Sequence, residues 1–190
     1  MGTSDEVRTV LYDAAALDRV LEAMAVNVAA RLYAQEQVSL VGIRRRGAPL
    51  ADRLHERLRQ HLPGADIERL DLSIKRYADD LTLLHPQTQL TEQAEHAHID
   101  LSGRAVVVVD DVLYFGFSLF KAVQYLLTKG VKNLNTAVLV DRNCATLPIR
   151  ANVCGLKLEV APGHIVECHV PPFEPSFQIV LVTGAKPAAV

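Results

Sequence analysis

Arg104-Ala-Val-Val-Val-Val-Asp-Asp-Val-Leu-Tyr-Phe-Gly-Phe-Ser118 is the stretch on which the fold turns. Its apolar run, Ala105 to Val109, has the β-branched content of a buried parallel strand. Asp110 and Asp111 stand at the C-terminal end of that run. A short loop with Gly116 and Ser118 follows, and an amphipathic helix is expected from Leu119 to Thr128. Ligands of open α/β sheets bind at the carboxyl ends of strands, which is where the acid pair falls. Ionised carboxylates only accept hydrogen bonds, so a vicinal diol with two O–H donors suits them. Backbone N–H groups of the loop and the positive end of the helix suit a phosphate. Gly116 permits close approach, and Ser118 offers a hydroxyl at the expected cap position. Taken alone, the pair also reads as an Asp-Asp turn before an ordinary capped helix. With the apolar run in front and the glycine loop behind, a sugar phosphate is the better fit.

Working outward, Asp13 is placed as the N-cap of an alanine-rich helix reaching Gln35, with Leu17, Val20, Leu21, Met24 and Val28 at helical spacing. Val38 to Ile43 reads as a buried strand, and Pro49 opens a helix to about His61, stopped by Pro63-Gly64. Strands are expected at Asp66 to Ile74, Leu134 to Val140, Val153 to Leu158 and Phe177 to Thr183. The polar segment from Lys75 to His98 is too long for a tight connection and reads as a mobile lid or hairpin over a site. Alternating strands and helices imply one α/β domain over residues 1–190 with a doubly wound, mainly parallel sheet and a flexible lid after the second strand.

Three strand ends are charged. Arg44, Arg45, Arg46 and Gly47 precede a helix N-terminus and can bind a second anion such as pyrophosphate, although a solvated basic turn is an equal reading. Lys75 and Arg76 add positive charge or simply start the loop. Asp141-Arg142 either closes a pocket over a heterocycle or forms a structural ion pair. Combined with the acid pair and its glycine loop, these ends give a diol acceptor, two anion cradles and a pocket wall, the requirements of phosphoribosyl diphosphate and a nucleobase.

Composition bounds the alternatives. With 190 residues, 49% hydrophobic and 22% charged, the chain can bury a sizeable core. A net charge of −2 argues against nucleic-acid binding through bulk electrostatics. Arg53, Arg57 and Arg59 are interleaved with Asp52 and Glu56, so a solvated helix face explains them better than an RNA surface. Cys144, Cys154 and Cys168 lack C-x-x-C spacing and fit reduced thiols. The seven histidines form no metal motif. No membrane-spanning run or signal-peptide core is visible, and the expected location is the cytoplasm.

The motifs also resemble a known family. Val41-Gly-Ile-Arg-Arg-Arg-Gly-Ala-Pro-Leu-Ala-Asp-Arg-Leu54 resembles the pyrophosphate loop of type I phosphoribosyltransferases. Val107-Val-Val-Asp-Asp-Val-Leu-Tyr114, Ala137-Val-Leu-Val-Asp-Arg142 and Leu147-Pro-Ile-Arg-Ala-Asn-Val-Cys-Gly155 are similar to the PyrR family of bifunctional pyrimidine-operon attenuators and uracil phosphoribosyltransferases. So are Asp71-Leu-Ser-Ile74 and Asp79-Asp80-Leu81. The likeness covers roughly residues 10–170, and the tail at about 171–190 is outside it. The resemblance implies ribose contacts at Asp110 and Asp111, a 5′-phosphate loop at Tyr114, Phe115, Gly116, Phe117 and Ser118, and a pyrophosphate loop at Arg44 to Gly47. It places Lys75 and Arg76 at the lid, and Arg142, Ile165 and Val166 by the base. It implies transfer of phosphoribosyl to uracil, giving UMP, with Mg²⁺ carried on the substrate and Asp110 and Asp111 rather than in a protein-built site. Purine-transferring members carry Asp where this chain has Tyr114, which points to a pyrimidine. A nucleotide-sensing regulator acting through RNA, and a homodimer or larger assembly, are also implied. The family's phosphate loop usually reads Tyr-Thr-Gly-Arg-Thr, so Phe115 removes a hydroxyl and Phe117 a cation. A diverged member with weak or no catalysis is the reading those two changes open.

Overall fold

The valine run becomes β5 (Ala105–Leu113) in a computed structural model that describes residues 6–75, 89–91 and 99–184. Ala105 to Val109 are fully buried, as a strand covered on both faces requires. Its sheet has the order β4-β3-β2-β5-β6-β7, formed with β2 (Gln37–Arg44), β3 (Asp66–Lys75), β4 (Gln89–Thr91), β6 (Asn133–Asp141) and β7 (Val153–Lys157). Every pairing is parallel except that of β4, which runs antiparallel to β3.

Helices cover both faces. On one face lie α1 (Ala14–Arg31) and α2 (Gly47–His61), whose Leu17, Leu21, Leu54 and Leu58 share a core with Val107 and Val109. On the other lies α3 (Phe117–Thr128), whose Leu119, Ala122 and Leu126 pack with Val106 and Val108. Alternate residues of β5 thus feed opposite cores, which is the two-residue period of a strand at work. The chain is α/β with a doubly wound, mainly parallel sheet, as its sequence leads one to expect. Among the described residues, no helix is long and apolar enough to cross a membrane.

Four expectations need correction. Asp13 caps α1 as expected, its Oδ1 accepting from Ala16 N at 2.8 Å, but the helix stops at Arg31. Strand β5 runs past the acid pair to Leu113, because Val112 and Leu113 still pair with Val140 and Asp141. Helix α3 starts at Phe117, and its cap is Gly116 in a left-handed conformation (φ 89°) rather than Ser118. The last strand, β9 (Gln178–Thr183), leaves the main sheet. It lies between β1 (Val7–Tyr12) and β8 (Ile165–His169) in a separate antiparallel sheet, order β1-β9-β8, of which only β9 is anticipated. Of the segment expected as a lid, Lys75 ends β3 and Gln89–Thr91 forms β4, while Arg76 lies outside the described residues.

Candidate active site

The sheet order changes direction between β2 and β5. From β2 the chain crosses through α2 to β3 on one side, and it returns to place β5 on the other. Adjacent strands whose following loops diverge leave a crevice at their carboxyl ends. Pairing of β2 with β5 ends at Gly42 and Val109, so Asp110 and Asp111 emerge where β5 loses that neighbour. Strand β5 itself continues along β6, which keeps the acid pair on a rigid element.

Asp110 is buried, 8% exposed, and its Oδ1 accepts from Asp111 N at 2.9 Å. Burial, reinforced by the charge of Asp111, pushes the Asp110 carboxyl well above the ordinary aspartate range. Burial also raises Asp111, and the nearby Arg46 guanidinium opposes that rise. Two carboxylates held this close in a poorly solvated crevice are an unbalanced charge that a cation or hydroxyl donors would relieve.

The arginine loop forms one wall. Gly47 packs so tightly on β5 that a Cβ there would stand 2.6 Å from Val109 O and 3.1 Å from the Asp110 Cα. Only glycine lets the start of α2 approach the acid pair this closely. Arg46 is the N-cap residue of α2, and the Arg44–Arg45 peptide bond is cis. Arg44 Nε lies 3.5 Å from Asp71, and the Arg45 guanidinium carbon lies 4.8 Å from the centroid of the Phe173 ring. Arg46 donates through Nε (3.0 Å) and Nη2 (2.5 Å) to Glu174 Oε1. Burial acts against its charge, but the Glu174 hydrogen bond and the fields of Asp111 and Glu174 outweigh it, and Arg46 stays cationic.

The other wall is the aromatic loop. A cavity of about 110 Å³ opens here, lined by Asp110, Tyr114, Phe115, Gly116, Phe117 and Ser118 among others. A single water needs roughly 10–15 Å³ of such space, so the cavity that the two phenylalanines line is larger than one water requires. The Phe115 ring leans on Tyr114, centroids 4.1 Å apart and planes at 55°. Phe120 N bonds Gly116 O at 2.9 Å as the first turn of α3 closes, and the amides before it point out of the helix start.

Arg142 and Asp141 part company. Arg142 is 7% exposed, its guanidinium carbon lies 5.1 Å from the Tyr114 ring centroid, and its Nε has no hydrogen-bond partner among the described residues. Asp141 accepts from Asn143 N at 2.8 Å and lines a separate cavity of about 390 Å³ with Arg150 and Lys157. Arg142 thus stacks on Tyr114 rather than pairing with its neighbour Asp141 among the described contacts. Ile165 and Val166 pair with Val182 and Leu181 in the second sheet, and Val166 is in the core. The β8 residue against the acid pair is Cys168, whose Sγ lies 4.0 Å from Asp111 O. The helix arginines are engaged within the chain: Arg53 stacks on Phe177 at 4.7 Å, and Arg57 pairs with Asp18 and Glu22 of α1.

Sequence reasoning missed Phe173 and Glu174. A residue 128 positions from its partner leaves no periodicity or spacing to read, and a carboxylate between prolines gives no local signal.

The phosphoribosyl transferase domain family matches residues 8–173. Curated relatives include Bifunctional protein PyrR of Listeria monocytogenes, 35% identical over 84% of this chain and 88% of that one. PyrR of Deinococcus deserti is 37% identical over 87% of this chain and 84% of that one. Among solved structures, hypoxanthine phosphoribosyltransferase of Trypanosoma cruzi with its product IMP superposes with a TM-score of 0.70 at 12% identity, covering 96% of this chain and 92% of that one. A hypoxanthine-guanine phosphoribosyltransferase of Bacillus anthracis gives 0.70 at 14% identity, over 92% and 96%. The last two likenesses speak for the fold, and the family match and the PyrR relatives for descent. With a switch-point crevice and a buried acid pair between an arginine loop and a helix N-terminus already in place, the chain belongs to the type I phosphoribosyltransferase family and resembles PyrR.

Proposed function

We propose that this protein transfers phosphoribosyl from phosphoribosyl diphosphate to uracil, giving UMP and pyrophosphate. The observation that carries the reading is the buried Asp110–Asp111 pair standing between a cationic loop and the helix N-terminus that follows Gly116. The ribose hydroxyls donate to the two carboxylates, the 5′-phosphate takes the first-turn amides of α3 and the Ser118 hydroxyl, and the diphosphate takes the arginine loop. As the C1–O bond breaks, its electron pair leaves with pyrophosphate, and the C1–N1 bond to uracil forms while the N1 proton passes to water. Positive charge on the ribose ring grows beside two carboxylates in a low-dielectric crevice, where their field acts strongly. Tyr114, in place of the Asp of purine-transferring relatives, supports a pyrimidine.

The donor set suits Mg²⁺. Hard carboxylate oxygens that repel each other are what this ion takes alongside substrate phosphates, and no cluster of three or more metal-binding side chains occurs among the described residues. Asp110 and Asp111 would hold it. When bound, the ion would neutralise the charge that builds on the leaving diphosphate.

A second reading rests on Phe115 and Phe117, which line the cradle where the family places a hydroxyl and a cation. A nucleotide-sensing regulator of pyrimidine genes, acting through RNA, needs UMP binding but no turnover. One assay separates the two: UMP formation from uracil and phosphoribosyl diphosphate with Mg²⁺. The double variant Asp110→Asn, Asp111→Asn should lose about a thousandfold, the product of two charge-assisted contacts. Absence of turnover in the wild type with UMP still bound in calorimetry replaces the enzyme by the sensor. Absence of both leaves a diverged member with another ligand.

A further inference from the structure

We infer that Phe173 and Glu174 belong to the diphosphate subsite as positioning residues: they orient Arg45 and Arg46. This rests on the phosphoribosyl-binding reading above. The turn after β8 brings them there. Phe173 N bonds Val170 O at 3.1 Å, and Glu174 N bonds the same oxygen at 3.4 Å. Glu174 then uses both carboxylate oxygens, Oε1 for the two Arg46 donors and Oε2 for Val170 N at 2.8 Å. Its carboxylate is therefore fixed to the backbone at one end and to the arginine loop at the other. Both side chains are mostly withdrawn from water, 22% exposed for Arg46 and 15% for Glu174, so the attraction is weakly screened.

Glu174 holds the Arg46 guanidinium by a direct ion pair, and the field of Asp111 further favours its charge. If Glu174 is made neutral, the Arg46 guanidinium loses a charged partner that fixes its direction toward the loop. Phe173, 43% exposed, provides a flat surface under Arg45, which limits where that side chain can go.

The test uses the full chain, with inorganic pyrophosphate plus Mg²⁺ and UMP as probes in separate calorimetric titrations, and KM and kcat for phosphoribosyl diphosphate. Glu174→Gln keeps the shape and removes the charge. It should weaken pyrophosphate binding and raise KM about tenfold, the loss of one charge-assisted arrangement, while kcat changes less. Glu174→Asp should recover part of that loss, because the charge is restored. Phe173→Ala should weaken pyrophosphate about threefold. Wild-type-like or tighter pyrophosphate binding by a folded Glu174→Gln overturns the inference. If that variant does not fold, unchanged binding by Phe173→Ala overturns it. A wild type that binds pyrophosphate but forms no UMP removes only the transfer reading. A wild type that binds no pyrophosphate removes both.

Discussion

The loop after β2 and the loop after β5 flank the same acid pair and are built from opposite materials. Arg44 to Gly47 presents three cations, held from outside by Asp71, Phe173 and Glu174. Tyr114 to Ser118 presents rings and amides. It is held by its neighbour in the chain's fold, the segment 144–149: Thr146 N donates to Phe115 O at 3.3 Å, and the Ile149 side chain covers Gly116. The first loop supplies charge and depends on partners distant in sequence. The second supplies a shaped backbone with no charge of its own. A helix N-terminus stabilises an anion by about 0.3–1 kcal/mol when exposed, against about 1.5–3 kcal/mol for a hydrogen bond to a charged group. The difference predicts that the diphosphate end of a ligand is gripped more strongly than its 5′-phosphate end.

The sharpest way to break this contrast is to give the aromatic loop a cation. Phe117 lines the cradle, so Phe117→Arg should tighten UMP binding about tenfold to a hundredfold, measured by calorimetry. Unchanged affinity would mean that the aromatic loop is not where the phosphate sits. A smaller effect tests the loop's shape. Gly116 combines φ 89° with an Ile149 Cγ2 only 2.5 Å from where a Cβ would be. Gly116→Ala should cost about 2 kcal/mol of stability, or roughly 6 °C in Tm, from left-handed strain and a displaced β-branched side chain. A Tm within a degree of wild type would show a loop that adapts freely, which the contrast denies.

The contrast also explains what was legible in the sequence. The valine run, the acid pair and the arginine loop are local patterns: strand burial, charge at strand ends and a following helix all act over a few residues. The cap of α3 misleads because Ser118 has the better side chain, while Gly116 alone accepts the left-handed backbone. Strand β1 escapes because Val7 to Leu11 are exposed on both faces, so no inside–outside alternation is written into it. Strand β8 does alternate, with Val166 and Cys168 buried, but five residues between proline-rich punctuation carry little signal. Glu174 is the deepest omission. Its role exists only once the second sheet folds back over the switch point, and nothing near it in sequence needs a carboxylate.

The seam between the two loops gives the last prediction, and it concerns pH. Burial and the Asp111 charge hold the folded-state Asp110 carboxyl above its unfolded value. A raised carboxyl favours the protonated fold, so its stabilising contribution is complete below the unfolded value, near pH 4, and is lost as pH rises through the folded one. Asp110→Asn never ionises, and its side-chain oxygen can still accept from Asp111 N. The variant should therefore match wild type in acid and exceed it at pH 8 by about 1 kcal/mol, or roughly 3 °C in Tm, although it binds ribose poorly. Asp111→Asn should gain less, because Arg46 already offsets part of that charge in the wild type. Adding Mg²⁺ with pyrophosphate should narrow the gap, since a bound cation relieves the wild-type pair and has less to relieve in the variant. If Asp110→Asn is instead less stable at every pH, the acid pair is compensated within the fold. The seam would then be a structural joint between the loops rather than a site held ready for a ligand.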